Sequence, residues 1–392
     1  MPSPPRKDVG KDTDDQLPYA WHAIDVIVLS IWFGALTGVG EAAILAIRKF
    51  LRDSMVFQPV EVVWMAPAMN VTLFAGCGIV LAILALFKPA WISLRTTCLV
   101  FMTLSGFTFL EHEDALARPA RLLLAAGVAT QASRLVAARP IILRKLGRLT
   151  TGWVTLWRRG PGPAGENEAN NNSPLLDRRE VVVSTGLGIA GVAAGTYGWR
   201  ANNERRALSV LPPAGPTPNV LLLVLDTVRA QNMSLYGYHR NTSPRLADYA
   251  QKGDFFQRAF APSSWTLPSH ATFFTGRYLH ETKAQMAKPL GTEFPTLAEA
   301  LSARGFETAG FSANLWFVTR EYGMARGFTS FDEHRIGSPG QILRSGILGR
   351  QFLKSPVNRR LLTGTDDLVG RKSASLINRN IRRWLERRDR SR

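Results

Sequence analysis

Long apolar runs in the first 200 residues constrain the fold of this chain more than any other feature of its sequence. A helix that crosses a bilayer needs about 20 mostly apolar residues in succession. Five runs reach or approach that length, at residues 23–47, 64–87, 91–110, 120–137 and 181–198. The sequence therefore predicts that residues 1–200 form an all-α transmembrane region of about five helices, with a lipid bilayer around it. Glu41, inside the first run, is either a functional residue or a helix–helix hydrogen-bonding group.

The distribution of basic residues predicts the orientation of this region. The chain of 392 residues carries 48 Lys and Arg against 30 Asp and Glu, a net charge of +18. Many of these bases lie in residues 139–179, which we expect to be a cytoplasmic linker because Lys and Arg collect on that side of a membrane. The N-terminus is then also cytoplasmic, and the chain beyond residue 198 lies outside the cytoplasmic membrane. Since topology accounts for the basic excess, no nucleic-acid partner is expected.

After a Pro-rich stretch at residues 201–218, predicted to be a tether, the pattern changes. Residues 219–392 read as alternating strands and helices, which favours an α/β fold with a mostly parallel sheet. The run NVLLLVLD, residues 219–226, is typical of a central strand buried on both faces. Because ligands bind at the carboxyl ends of such strands, Asp226 is a candidate metal ligand. Its alternative role is to cap the helix that follows.

A second stretch, APSSWTLPSHATFFTGRY at residues 261–278, predicts a helix with Pro268 in its first turn. Thr266 then lies at the helix N-terminus, where exposed N–H groups and the macrodipole favour anions. A hydroxyl at that position is either a cap or a nucleophile. The stretch alone leaves both open.

Together the two stretches resemble the N-terminal part of the sulfatase branch of the alkaline phosphatase superfamily. The aliphatic strand ending in Asp, then YGY, SPRLADYAQKG and TLPSHATFFTG occur in the family's order. GFETAGFSAN and RGFTSFDE continue the likeness to about residue 335. The resemblance implies an alkaline phosphatase-like α/β fold. It also implies metal-dependent hydrolysis or transfer of a phosphate or sulfate ester.

The same resemblance implies roles for individual residues. Thr266 would be the nucleophile, and Asp226 and Thr266 would bind a divalent metal ion, whether Ca, Mg, Mn or Zn. His270 takes the place of the family's usual Arg and would face the nucleophile, where it helps to place or protonate the ester. Asn314 stands where a residue that contacts the substrate is expected.

Thr266 also departs from the sulfatase pattern. Sulfatases have Cys or Ser at this position, which is oxidised to formylglycine, and the methyl group on the β-carbon of Thr266 prevents formation of that aldehyde. A threonine nucleophile resembles membrane-anchored phosphoglycerol and phosphoethanolamine transferases, which also have five N-terminal spans. Phosphoryl transfer is therefore favoured, and sulfuric ester hydrolysis is the alternative.

The second half of the family's metal site is not recognisable in the sequence. Thr227 replaces the second acid that often follows the first strand, and no histidine follows His334. The family's downstream Asp and His, and its Lys-Trp-His segment, are absent. The sequence therefore predicts the front part of a catalytic domain, with its C-terminal half missing. The alternative to an enzyme is a truncated, non-catalytic membrane protein that keeps this part of the fold.

Overall fold

In a computed structural model the chain is described from residue 22 to residue 388. Residues 53, 113–114, 160–175, 214, 216–217, 335 and 356–371 lie outside that description, as do the side chains of residues 152–159 and 354. The chain divides into two compact units. The first unit comprises Met1–Tyr197 and Ile336–Val369, and the second comprises Gly198–Arg335 and Gly370–Arg392.

The described residues form helices and two short strands. In chain order the elements are α1 Ala23–Phe50, α2 Val62–Phe87, α3 Leu94–Leu110, α4 Arg118–Ala138, α5 Ile141–Arg159, α6 Arg178–Ser209, α7 Pro244–Ala250, α8 Thr266–Thr275, α9 Leu279–Thr282, α10 Leu297–Ser302, β1 Ala309–Phe311, β2 Ser330–Asp332, α11 Pro339–Ser345, α12 Ile347–Lys354 and α13 Ala374–Arg387. Single 3₁₀ turns occur at Pro89–Trp91, Ala230–Asn232 and Ser234–Tyr236.

A helix occupies each of the five predicted membrane-spanning positions, but three of these helices are long and apolar enough to cross a membrane. These three candidates are α1, α2 and α6. Helix α3 is apolar but has only 17 residues. Helix α4 is long enough, yet Arg118, Arg121 and Arg134 lower its hydropathy. Within the described residues, the structure thus gives three candidate spans where the sequence predicted about five.

Small residues allow α1 and α2 to pack closely. A Cβ atom at Gly38 would lie 2.3 Å from the Cα of Pro67, and one at Gly78 would lie 2.2 Å from the hydroxyl of Ser30. Neither substitution could be accommodated without moving a helix, and this close approach is the usual basis of helix association in lipid. Phe74 of α2 and Phe101 of α3 stack beside this contact, with ring centroids 5.8 Å apart.

Two segments predicted to be linkers contain helix. Part of the expected cytoplasmic linker forms α5, while its polar middle lies outside the described residues. Helix α6 continues to Ser209, so the first part of the expected tether, residues 201–209, is helical. Contacts within the second unit hold that extension. Arg200 donates to the carbonyl of Phe331 at 3.1 Å, and Ser330 donates to Glu204 at 3.2 Å.

The second unit has a small parallel sheet. Strand β1 pairs with β2 in the register Ala309↔Ser330, Gly310↔Phe331 and Phe311↔Asp332. Helix α10 begins after Thr296, whose hydroxyl accepts a hydrogen bond from the Glu299 amide at 3.1 Å. The Glu299 carboxylate in turn accepts from the Thr296 backbone N–H at 2.7 Å, and this pair of bonds is a capping box, a common start of a helix.

The sequence TDDLVGRKSASLINRNIRRWLERR, residues 365–388, predicts an amphipathic C-terminal helix capped by Thr365. Helix α13 lies within this segment and starts after Ser373, which caps it, whereas Thr365 lies outside the described residues. Asp332 joins this helix to the sheet by bonding to Lys372 at 2.8 Å and to Asn380 at 2.6 Å.

The predicted central strand at residues 219–226 was wrong in its burial and pairing. This segment forms no ladder with another strand among the described residues, and Leu221 is 81% exposed. The aromatic stretch DFFQRAFA, residues 254–261, has a sequence that predicts another strand, and it is likewise unpaired there, with Phe260 89% exposed. A central strand exists only where neighbours bond to both of its edges, and the two described strands do not provide them.

Candidate active site

Thr266 is the first residue of α8, a helix of 10 residues. The residue before it, Trp265, has extended backbone angles and makes no side-chain capping bond, and Gly276 ends the helix in the left-handed conformation. The hydroxyl of Thr266 is therefore not the helix cap that the sequence left open. Instead it faces a carboxylate, at the end of α8 where the backbone N–H groups of Thr266 and Leu267 begin the helix.

That carboxylate belongs to Asp226. The Thr266 hydroxyl lies 3.3 Å from Oδ1 and 3.4 Å from Oδ2 of Asp226, so these two predicted site residues meet. Asp226 does not cap a helix, since the next described helical turn begins at Ala230 after Arg229. The helix-capping role that the sequence left open for Asp226 is therefore not observed in this part of the structure.

The chain turns sharply directly after Asp226. Thr227 has a φ of 62°, a left-handed conformation that is strained for a β-branched residue. Its hydroxyl donates to the backbone carbonyl of Asp226 at 2.7 Å. The family often has a second acid at this position. In this chain Thr227 instead turns the backbone, and its side chain bonds to the neighbouring residue Asp226.

Asn314 contacts Asp226 as well. Its Nδ2 donates to Oδ2 of Asp226 at 2.8 Å. Its Oδ1 accepts the backbone N–H groups of Trp316 and Phe317, each at 3.0 Å. Since only an oxygen accepts those two bonds, the amide orientation is fixed. Asn314 was predicted to contact the substrate; in the structure its side chain bonds to the carboxylate of Asp226.

His270 lies one turn along α8 from Thr266 and is 6% exposed. Its Nδ1 is 2.9 Å from the backbone carbonyl of Thr266, and its ring packs 5.1 Å from that of Phe273. A carbonyl can only accept, so Nδ1 carries the proton and Nε2 is the nitrogen left to accept one. His270 thus bonds to the backbone of Thr266 rather than to its hydroxyl.

The donor atoms at this site fit only part of a cation site. Asp226 and Thr266 supply oxygens, but Asn314 turns an N–H group toward them. No cluster of three or more His, Cys, Asp or Glu suited to a metal ion occurs in the part of the chain that the structure describes. Hard divalent cations take about six oxygen ligands or more. The described residues do not by themselves form a complete metal site.

The site thus has a carboxylate, a hydroxyl at a helix N-terminus and an amide that bonds to the carboxylate, all inside one segment that matches a known family. Residues 218–340 match the sulfatase family. Over 110 residues the chain is also 28% identical to an N-acetylglucosamine-6-O-sulfatase from Bacteroides thetaiotaomicron. That alignment covers 26% of this chain and 20% of the relative, so the chain spans about a fifth of the length of the curated relative it matches. No solved structure matches the chain.

The two matches support the sulfatase family for this segment, and that family implies an alkaline phosphatase-like α/β fold. Sulfatase-family enzymes generally use a metal ion. The sequence reasoning missed two features of this segment. One is the left-handed turn at Thr227. The other is an edge contact between the rings of Trp265 and Phe317, 5.4 Å apart, which links the start of α8 to the loop of Asn314. Two aromatic residues flanking polar site residues were the available signal.

Proposed function

We propose that this chain is a membrane-anchored protein of the sulfatase family that acts on a phosphate or sulfate ester outside the cytoplasmic membrane, with phosphoryl transfer as its reaction. One observation carries the proposal. The Thr266 hydroxyl sits at the N-terminus of α8 with both oxygens of Asp226 within 3.4 Å. A nucleophilic hydroxyl needs a partner that orients it and a positive environment for the anion it attacks, and both are present.

In the proposed reaction Thr266 Oγ1 attacks the phosphorus atom, the bond to the leaving alcohol oxygen breaks, and the phosphoryl group is held on Thr266 until an acceptor hydroxyl or water displaces it. Asp226 orients the hydroxyl and takes its proton, while the N–H groups at the start of α8 bond to the ester oxygens. His270 is the group proposed to place the ester or, as the imidazolium with a proton on each ring nitrogen, to protonate the leaving oxygen through Nε2. A divalent metal ion, whether Ca, Mg, Mn or Zn, would neutralise charge at the hydroxyl, and Asp226 and Thr266 are the residues that would hold it.

Sulfate ester hydrolysis is the second candidate. Its support is the sulfatase family match and the relative named as a sulfatase. The argument against it is the methyl group of Thr266, which prevents formation of the aldehyde that the family's Cys or Ser gives. A third candidate, a non-catalytic protein that keeps this part of the fold, rests on the incomplete cation site.

The membrane arrangement is part of the proposal. Helices α1 to α4 and α6 would supply the five spans, with α1, α2 and α6 the best candidates by length and composition. The N-terminus and residues 139–179 would be cytoplasmic. The segment of residues 219–392 would face away from the cytoplasm, where a phosphate- or sulfate-ester substrate would be met.

The test is ester turnover by the full chain in membranes, with aryl phosphate and aryl sulfate esters compared. Thr266→Ala should reduce turnover by about 10³-fold or more, because the attacking atom is gone. Thr266→Ser should retain turnover within about tenfold. Thr275→Ala, at the other end of α8, is the matched control and should behave like the parent chain.

A covalent intermediate separates the candidates. With a radiolabelled phosphate ester, the parent chain should carry label on the peptide that contains Thr266. Turnover of the sulfate ester alone would favour the second candidate. A parent chain that turns over neither ester would favour the non-catalytic one.

A further inference from the structure

Glu41 is a buried acid in the middle of the apolar helix α1, and ester chemistry at Thr266 does not use it. It is 1% exposed, and its carboxylate accepts a hydrogen bond from the side chain of Asn70 on α2. His112 Nε2 lies 3.8 Å from the same carboxylate. A carboxylate inside a membrane region is costly unless it is bonded, so its partners indicate what it is for.

The third partner of Glu41 comes from a distant part of the chain. The backbone N–H of Ile347 donates to Glu41 Oε1 at 2.8 Å. Ile347 is the first residue of α12, and its N-cap, Gly346, has no side chain that could cap the helix. The first N–H groups of a helix need an acceptor, and a negative charge is favoured there. Glu41 therefore caps α12 from another helix.

Gly346 is the residue that permits this approach. A Cβ atom there would lie 1.6 Å from the Cε of Met69 and 3.0 Å from Oε2 of Glu41. Helix α12 has 8 residues, which is too short to be stable alone in water. Its order therefore depends on the surface that it contacts.

Two further contacts hold the same segment. Gln351 of α12 donates to the carboxylate of Glu111 at 3.0 Å, just past the end of α3. Gln58, in the loop before α2, donates to the carbonyl of Arg344 in α11 at 3.4 Å. All of these residues belong to the first unit, although α11 begins at Pro339, one residue before the sulfatase match ends at residue 340.

We propose that residues 339–354 form a re-entrant helical hairpin that docks on α1 and α2. We call Glu41 the latch of this hairpin, because its carboxylate accepts the hydrogen bond that holds the N-terminus of α12. The chain that leaves the sulfatase-like segment is thereby attached to the membrane region a second time, in addition to α6. The partner recognised by Glu41 is thus a helix N-terminus of the same chain. The proposal does not depend on which ester is cleaved.

Thiol labelling of the full chain in detergent micelles tests the latch. The exposed Cys77 is replaced by Ala, and Ser345→Cys introduces a reporter where the native side chain is 1% exposed. The native Cys98, 0% exposed, reports on the packing of the helix bundle. With Glu41 in place, both thiols should react slowly with a maleimide.

Glu41→Leu should raise labelling at position 345 by at least about tenfold and leave Cys98 protected, since the cap of α12 is lost while α1 stays apolar. Asp25→Asn, about four turns earlier on α1, is the matched control and should leave both rates unchanged. Gly346→Val disturbs the same contact from the side of the hairpin, because its side chain would clash with Met69 and Glu41. It should therefore raise labelling at position 345 in the same way.

Slow labelling at position 345 in both Glu41→Leu and Gly346→Val would overturn the proposal. So would labelling of Cys98 in both, because the hairpin would then not be separable from the helix bundle. If Glu41→Leu exposes Cys98 and Gly346→Val does not, the labelling rate at position 345 in Gly346→Val decides. Fast labelling there supports the docked hairpin, and slow labelling overturns it.

Discussion

Asn314 donates its side-chain amide to the carboxylate of Asp226 at 2.8 Å, and the same carboxylate lies within 3.4 Å of the Thr266 hydroxyl. The Asn314 amide is itself held by two backbone N–H groups. Asp226 is thus fixed by a donor that cannot rotate away. We therefore expect Asn314 to act as a positioning residue, with its effect on a reaction transmitted through Asp226.

Asn314→Ala should lower kcat by about tenfold or more and change KM little, because the carboxylate loses the group that orients it. Steady-state kinetics of the full chain on the better ester measures both constants. Asn241→Ala, at an exposed position, is the control. A rise in KM with kcat unchanged would instead support the substrate contact predicted from the sequence.

Replacements of Thr227 should report the strain in its left-handed conformation. Thr227→Gly should leave the melting temperature of the second unit unchanged or higher, since glycine adopts φ of 62° without cost. Thr227→Val keeps the branch and loses the hydroxyl bond to Asp226, so it should cost about 1–2 kcal/mol. Thermal melts of the full chain in detergent compare the two. Equal melting temperatures for these variants would contradict the strain.

Glu299 should make the stability of the second unit depend on pH. The hydrogen bond from Arg326 holds the pKa of Glu299 below its ordinary value of 4.5. Because the folded pKa is lowered, the stabilisation is fully present above about pH 5. It is lost as the pH falls below 4.5 through the folded value. Pulse proteolysis of the full chain at both ends of this range measures the change.

Glu299→Gln should therefore cost about 1 kcal/mol at pH 7, a figure reduced for the partial exposure of the pair. The difference from the parent chain should shrink at pH 3.5. Glu281→Gln removes a surface ion pair with Arg277 and should cost under about 0.5 kcal/mol. A Glu299→Gln deficit that is the same at both pH values would exclude the charge as its cause.

Reporter fusions should separate the two sides of the proposed membrane arrangement. A phosphatase reporter that is active only outside the cytoplasm should be active when fused at residue 210 and inactive when fused at residue 165. The reason is that α6 lies between these points and is long and apolar enough to cross a bilayer. The reverse pattern would contradict the five-span arrangement.

Local chemistry made the central site predictable from sequence. The acid that ends an aliphatic run and the Thr-x-Pro helix start each imply a position, and Asp226 and Thr266 do meet. The hydrogen-bond partners of these groups were harder to predict from the sequence. That Asn314 bonds to Asp226, and that His270 bonds to a backbone carbonyl, follow from contacts between distant segments or from ring orientation. Neither leaves a periodic signal.

The secondary structure shows a similar division. The apolar runs predict the positions of α1, α2 and α6 because period and length are properties of the segment alone. Pairing of residues 219–226 is a property of their neighbours, so an aliphatic pattern cannot guarantee it. The helical part of the tether was missed because Pro and Asn nearby suggested a break, whereas contacts of Arg200 and Glu204 stabilise the extension.

The aliphatic run Val220–Leu225 has a consequence for handling the protein. Its six residues are all aliphatic, carry no charge, and range from 38% exposed at Val224 to 81% at Leu221. Such a segment with free backbone edges is a template for self-association into cross-β aggregates. Fragments that present this run to solvent should therefore precipitate or recruit chaperones, and a lysine in place of Leu222 should keep them dispersed.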